Sequence, residues 1–154
     1  MLSRLIYASE AVVDLNPAIL DDLLARARQK NRLLDITGLL LFDSRYFLQV
    51  LEGEREKISA LYARLLQDPR HQRVALLRFE EIDQRFFGSW KMGFVAANAA
   101  TRPVFLRYGS SSRFDPYTLT GTAALGVLRE IGYSVTPDPM ETELYLDPVS
   151  HLKA

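Results

Sequence analysis

The chain has 154 residues, 48% of them hydrophobic and 25% charged, enough for one domain with its own core and too polar for a membrane protein. Its 19 Lys and Arg cancel its 19 Asp and Glu, so it carries no basic footprint for nucleic acid or an anionic membrane surface. Cysteine is absent, which excludes a disulfide frame, a thiolate metal site and a cysteine nucleophile and is compatible with a cytoplasmic location.

No apolar run approaches the roughly 20 residues needed to span a bilayer, and the N-terminus lacks a signal peptide's apolar segment, so a soluble, unexported protein is expected. Residues Leu2 to Ala8 alternate, with Leu5 and Tyr7 on one face and Leu2, Arg4 and Ile6 on the other, and predict a first strand. Asn16 and Pro17 provide an N-cap and a first helical residue. Ile19, Leu20, Leu23, Leu24 and Ala27 then make an apolar stripe that should end near Lys30 and Asn31. Asp35 to Phe42 is a continuous apolar strand, and Asp43-Ser44-Arg45 turns it into a hairpin with Tyr46 to Gly53. Ile58, Leu61, Tyr62, Leu65 and Leu66 repeat with helical spacing until Asp68-Pro69 stops them. Val74 to Ile82 predicts a fourth strand and Met92 to Ala97 a fifth, after the aromatic loop Arg85 to Trp90.

The core order β-α-β-β-α-β is the split unit of ferredoxin-like sheets, in which the first and third strands are central neighbours. Thr101 to Tyr108 and Pro116 to Ile131 predict two further helices, the second with Leu119, Ala123, Val127 and Ile131 along one side, covering the sheet's other face. The expected fold class is therefore α+β: a ferredoxin-like βαββαββ sheet with two helices on one face and two C-terminal helices on the other. From Gly132 onward, prolines among acidic residues predict an irregular, mobile tail. The expected division is a core over 1–98, a helical cap over 99–133 and a flexible tail over 134–154.

Gln49 stands out. It lies in the apolar strand Tyr46 to Gly53, sharing a face with Phe47 and Leu51, and a buried carboxamide left unpaired costs about 1 to 3 kcal/mol. It therefore requires polar neighbours, and Tyr7 is a candidate if the two strands present the same face, which alternation alone does not fix. Catalytic groups are scarce. His71 and His151 fall in a turn and in the tail, and both are expected at the surface. Glu54, Glu56, Glu80 and Glu81 fall at helix starts and strand ends where solvated carboxylates are usual. Gly38 and Gly53 are single glycines, not a phosphate loop. Taken singly, Tyr7 is an ordinary core tyrosine, Asn31 a helix C-cap, and Trp90 and Met92 core or edge residues of one strand. Together they converge on one space between two helices and a sheet.

In the segments Arg4-Leu5-Ile6-Tyr7-Ala8-Ser9, Asn31, Asp35-Ile36-Thr37-Gly38-Leu39-Leu40 and Phe47-Leu48-Gln49-Val50-Leu51-Glu52-Gly53, the chain resembles the BLUF domains, blue-light sensors using flavin adenine dinucleotide (FAD). Gln67-Asp68-Pro69-Arg70-His71 and Phe87-Gly88-Ser89-Trp90-Lys91-Met92 extend the likeness, which covers about residues 1 to 98 in order and in register. The C-terminal helices fit the short, stand-alone members but carry no motif.

The resemblance implies a non-covalent flavin between the two helices, with FAD as the cofactor and FMN or riboflavin able to substitute. It makes Tyr7 the electron donor and proton source, and Gln49 the bridge from Tyr7 to the flavin. Asn31 would bond the ring's N3 and carbonyl edge and Arg64 another carbonyl, while Lys30 would face the phosphates. Met92 would pass on the change at Gln49, with Trp90 near the same site. It further implies a photoreceptor without enzymatic turnover, acting on a separate effector protein and forming a homo-oligomer. Two other readings stay open on the residues alone. One is a ferredoxin-like regulatory module for a colourless metabolite or a protein. The other is an acylphosphatase-like hydrolase using Arg4 or Arg64 to hold an anion.

Overall fold

The computed structural model describes residues 1–134. Five strands, β1 (Leu2–Ala11), β2 (Thr37–Phe42), β3 (Tyr46–Glu54), β4 (His71–Glu81) and β5 (Gly93–Ala96), form one sheet in the order β4-β1-β3-β2-β5. All neighbours are antiparallel except β2 and β5, which run parallel. Helices α1 (Pro17–Leu34) and α2 (Arg55–Leu66) lie on one face, and α3 (Arg102–Tyr108) and α4 (Gly121–Ser134) belong to the other. This is the α+β, ferredoxin-like arrangement expected, with the first and third strands side by side at its centre.

The strand alternation sorts the sheet into two cores. Leu5, Tyr7, Leu40, Phe42, Phe47 and Leu51 face α1 and α2 with Leu24 and Ile58, while Ile6, Leu39, Leu41, Tyr46, Leu48 and Val50 face α4. The second set packs with Phe87, Trp90, Phe105, Val127, Leu128 and Ile131 into a filled layer. The first is different. Of the stripe that predicts α1, only Leu24 is buried, Ile19 is exposed, and Leu20, Leu23 and Ala27 are partly so. The apolar face of α1 is thus only partly covered by protein.

Local chemistry sets the ends. Asn16 Oδ1 accepts from the Ile19 amide at 2.9 Å and Pro17 opens α1. At the other end Asp35, in the left-handed region at φ 54°, caps the helix, and the Ile36 amide bonds the Asn31 carbonyl. The helix therefore runs a turn past its expected end, and Asn31 is a buried residue of the last turn rather than the cap. The Glu54 carboxylate caps α2 by accepting from the Glu56 and Lys57 amides.

Three other boundaries differ from the sequence reading. Pro116–Thr118 is a separate 3-10 turn, and α4 begins only at Gly121, because Leu119 is extended at ψ 139°. Gly132 is buried inside α4, so the helix reaches Ser134 where a tail was expected. Residues 135–154, with the rest of that tail and His151, lie outside the described residues. Finally, Trp90 and Met92 precede β5 and are not on a strand. Bends at Lys91 and Met92 break the period of two, and the two side chains go to opposite faces.

Candidate functional site

The site starts from register. Tyr7 on β1 is the direct partner of Gln49 on β3, and Leu40 on β2 is the partner of Gln49 on its other side. Side chains opposite each other in an antiparallel pair share a face, so the phenol and the amide both point toward α1 and α2. On its β4 side, β1 carries a register shift between Ile6 and Tyr7. Such irregularities re-aim side chains next to functional sites.

The amide has the neighbours its burial demands. The Tyr7 hydroxyl donates to Gln49 Oε1, and Gln49 Nε2 donates to Met92 Sδ at 3.1 Å. Tyr7 is almost wholly buried, and that burial, reinforced by the charges of Asp68 and Tyr62, pushes its hydroxyl well above the ordinary phenol range. It is a protonated donor at every physiological pH. The Met92 carbonyl in turn accepts from Arg28 Nε at 3.0 Å, and the Lys91 carbonyl accepts from Asn31 Nδ2 at 2.7 Å. The last turns of α1 are thus fastened to the backbone that carries the thioether.

Above this floor is a cavity of about 290 Å³ between α1 and α2. Leu23, Ala27, Leu61 and Leu65 supply apolar walls; Tyr7, Gln49, Asn31 and Met92 line it, and Lys30 and Arg64 stand among its cations. Asn31 spends Nδ2 on Lys91, and its Oδ1 has no partner among the described residues. The donor set fits a flat heteroaromatic ring with an imide edge. Asn31 Oδ1 would accept from a ring N–H and Arg64 would donate to a ring carbonyl, beside the Tyr7–Gln49 pair. A flavin's isoalloxazine has that edge and needs those walls.

Trp90 is not part of this group. It is buried on the opposite side of the sheet, against Phe87 at 6.5 Å between ring centroids, in the layer closed by α4. His71, expected at the surface, is instead half-buried and lines the cavity. Its Nε2–H donates to the Leu65 carbonyl at 2.5 Å, and its Nδ1 lies 2.8 Å from the Ser9 hydroxyl oxygen. Edge-on to Tyr7 at 6.2 Å and Phe47 at 6.4 Å, it ties the end of α2 to β1 behind the phenol. The signal was the Asp68-Pro69-Arg70-His71 segment, legible as motif and not as chemistry.

The other residue missed by sequence reading is Glu52. Wholly buried, its carboxylate accepts from Arg4 Nε at 2.8 Å and from the Phe86 and Phe87 amides at 3.1 and 2.7 Å. Arg4 also bonds Glu80, and the Phe86 ring is held between the Arg4 and Arg129 guanidinium groups at 4.3 and 4.0 Å. An Arg4 so engaged, on the face away from the cavity, holds no substrate anion, and the hydrolase reading loses one of its two arginines. Among the described residues no cluster of three His, Asp or Glu side chains is arranged for a metal, and no helix is long and apolar enough to cross a membrane.

The sheet thus carries a buried phenol–amide pair on the floor of a cavity between two helices. The family model described as "Sensors of blue-light using FAD", BLUF, matches residues 2–93, and the chain belongs to that family. It is 35% identical over 88 residues to the blue light- and temperature-regulated antirepressor BluF of Escherichia coli K12, covering 57% of this chain and 22% of that protein. It is 34% identical over 93 residues to the photoactivated adenylate cyclase subunit beta of Euglena longa, covering 59% of this chain and 11% of that one. The chain thus spans well under half the length of these curated relatives. Among solved structures it is similar to BlsA in its photo-activated state, at TM-score 0.78 and 32% identity over 90% of this chain and 99% of that one. It is also similar to the dark state of BlrB, at TM-score 0.70 and 28% identity over 87% and 97%. The family is one of blue-light sensors that use a flavin, and the two solved relatives matched almost end to end are a photo-activated state of BlsA and the dark state of BlrB, a BLUF protein.

Proposed function

We propose that this chain is a blue-light photoreceptor whose switch is the hydrogen-bonded series Tyr7, Gln49, Met92, with FAD as its non-covalent flavin and FMN or riboflavin able to replace it. The observation that carries the reading is that series, seated on the floor of a cavity whose other polar atoms suit an imide edge. When bound, the flavin supplies the absorption of blue light and an acceptor for one electron and one proton. Tyr7 holds its proton on Gln49 Oε1 in the dark, gives up an electron and that proton on illumination, and recovers both on return. Gln49 answers by rearranging its amide, exchanging the partners of its oxygen and its NH2. Each such bond is worth about 0.5 to 1.5 kcal/mol net, enough to shift a two-state population several-fold.

Met92 loses or keeps the amide's N–H with that rearrangement, and its backbone is bonded to Arg28 on α1. The change passes from residues 90–97 toward α3 and α4, with Trp90 on the α4 side as the relay rather than at the flavin. The flavin core is residues 1–98 and the output cap 99–133. The relatives' names attach the domain to an antirepressor and to adenylate cyclases. For this chain the effector is a separate cytoplasmic protein, met by a homo-oligomer. Purified protein should be yellow, and blue light should move the flavin band reversibly to longer wavelength. Tyr7→Phe should keep the colour and lose the shift; a variant with an intact shift refutes the role given to Tyr7.

A further inference from the structure

The chain's charges cancel overall but are divided unevenly beyond the sheet. Residues 99–134 hold Arg102, Arg107, Arg113 and Arg129 against Asp115 and Glu130, whereas residues 135–154 hold Asp138, Glu141, Glu143 and Asp147 against Lys153. A basic helical cap is thus followed directly by an acidic segment. The cap's cations are not all engaged within it. Arg129 lies over the Phe86 ring and Arg107 pairs with Glu130 in the solvent, but Arg102 and Arg113 have no carboxylate partner among the described residues. Between them α3 leaves Leu106 59% exposed, while Phe105 beside it is buried in the core. Arg102 and Leu106 are four apart and so share one face of the helix, which Arg107 adjoins. The outer face of α3 is therefore apolar in its middle and cationic around it.

We propose that this face of α3 is the docking site of the chain's own residues 138–147. That segment has the complementary make-up, with Leu144, Tyr145 and Leu146 set between Glu141, Glu143 and Asp147. Position favours it as well. The Tyr108 ring lies over Gly126 and Arg107 bonds Glu130, so earlier positions on α3 meet later positions on α4, and the start of α3 lies toward Ser134, where α4 ends. Asp138 is four residues beyond Ser134, about 13 Å at full extension, and α3 with its seven residues is about 10 Å long. The segment therefore reaches the whole face, and the short tether holds it there at an effective concentration of about a millimolar. Its ion pairs are exposed, individually weak and screened by salt, so the docking is sensitive to ionic strength. On the photoreceptor reading above, the segment occupies the output cap and competes with the effector for it. The docking itself stands on charge, exposure and reach, and needs no flavin.

Because cysteine is absent, Thr142→Cys places a single nitroxide label in the segment of the full-length protein, and paramagnetic broadening of backbone amides shows what the segment touches. Docking should broaden the amides of residues 102–107 about threefold more at low salt than at about ten times that salt. Glu141→Gln combined with Glu143→Gln, which alters no described residue, should reduce the low-salt broadening to the high-salt level. Broadening of α3 that is indifferent to salt and to this double substitution is what a tether alone gives, and overturns the proposal. Broadening centred on α1 and α2 overturns it too. In an equal mixture of nitroxide-labelled chain and isotope-labelled chain without nitroxide, broadening of the latter puts the segment on a second copy and overturns docking on its own chain. The light-induced absorption shift, read on the same sample, reports on the flavin reading separately.

Discussion

Removing the buried charge of Glu52 while keeping its shape tests how the sheet's two faces are joined. In Glu52→Gln the single amide oxygen can keep only one of the Phe86 and Phe87 amides, which use different oxygens of Glu52, and the neutral side chain no longer balances Arg4, whose side chain is only 4% exposed. Breaking a buried ion pair from one side costs about 3 to 5 kcal/mol. Glu80, also 2.8 Å from Arg4, keeps part of the balance, which puts the expected loss at the lower end, about 3 kcal/mol. For a chain of this size that is a fall in Tm of about 6 to 12 °C, read by circular dichroism. Arg4→Met in the Glu52→Gln background removes the stranded guanidinium, so the double variant should be less destabilised than the two single losses added together. A fall in Tm below about 2 °C for Glu52→Gln, or strict additivity in the cycle within about 0.5 kcal/mol, would refute the view that the two groups hold each other in place.

Gln49→Leu removes both the acceptor of the Tyr7 proton and the donor to Met92; the protein should stay yellow, lose the light-induced shift and lose about 1 to 3 kcal/mol of stability in denaturant titration, so an unaltered photoresponse would contradict the switch. Alkali should destabilise the fold through Tyr7. Its folded-state pKa is raised from 10.0 by burial first, so above about pH 10 the unfolded chain loses a phenolic proton that the folded one retains, and stability falls as pH rises. Tyr62 and Tyr117 are shifted the same way, so Tyr7→Phe should reduce the slope without abolishing it, and an unchanged slope would clear Tyr7 of that role. Gly38→Ala puts a methyl group into the Val50 carbonyl on the neighbouring strand and against the Met92 side chain, a cost of about 1 to 3 kcal/mol with a weakened or altered shift; a variant as stable as the parent would show that β2 and β3 can move apart there.

The sheet was legible because a period of two leaves no choice. Once β1 and β3 are neighbours, the register that opposes Tyr7 to Gln49 also opposes Arg4 to Glu52, since each step back on one strand is a step forward on the other. The sequence therefore contained the Arg4–Glu52 pair as surely as the phenol–amide pair, three residues away and so on the opposite face. Nothing local marks the pair, since a Glu near a strand end is usually solvated. Helix α4 was misjudged at both ends for a related reason. Pro116 to Leu119 carries helical spacing, but Leu119 is extended and starts the chain afresh, and Gly132, a helix stop on paper, is buried where Phe87 and Leu39 come close. Packing that involves residues more than forty positions away has no local signature.

Trp90 and Met92 show what such hidden geometry does to function. On a regular strand a spacing of two would have put both at the cavity, and the bend at Lys91 and Met92 separates them, one under the cavity and one under α4. That same bend exposes the Lys91 and Met92 carbonyls to Asn31 and Arg28, so the segment is bonded to α1 through its backbone, to Gln49 through a side chain and to the α4 layer through an indole. Upstream, the Phe86 and Phe87 amides are anchored on Glu52. The amide rearrangement proposed for Gln49 would therefore act on a short piece of chain fixed at one end and shared by both layers. The α4 side of the sheet is close-packed, whereas the α1 side is built around a cavity. Close-packed layers respond to small displacements by moving as units, so under the proposed switch the filled face would be the one to carry a change at the amide outward.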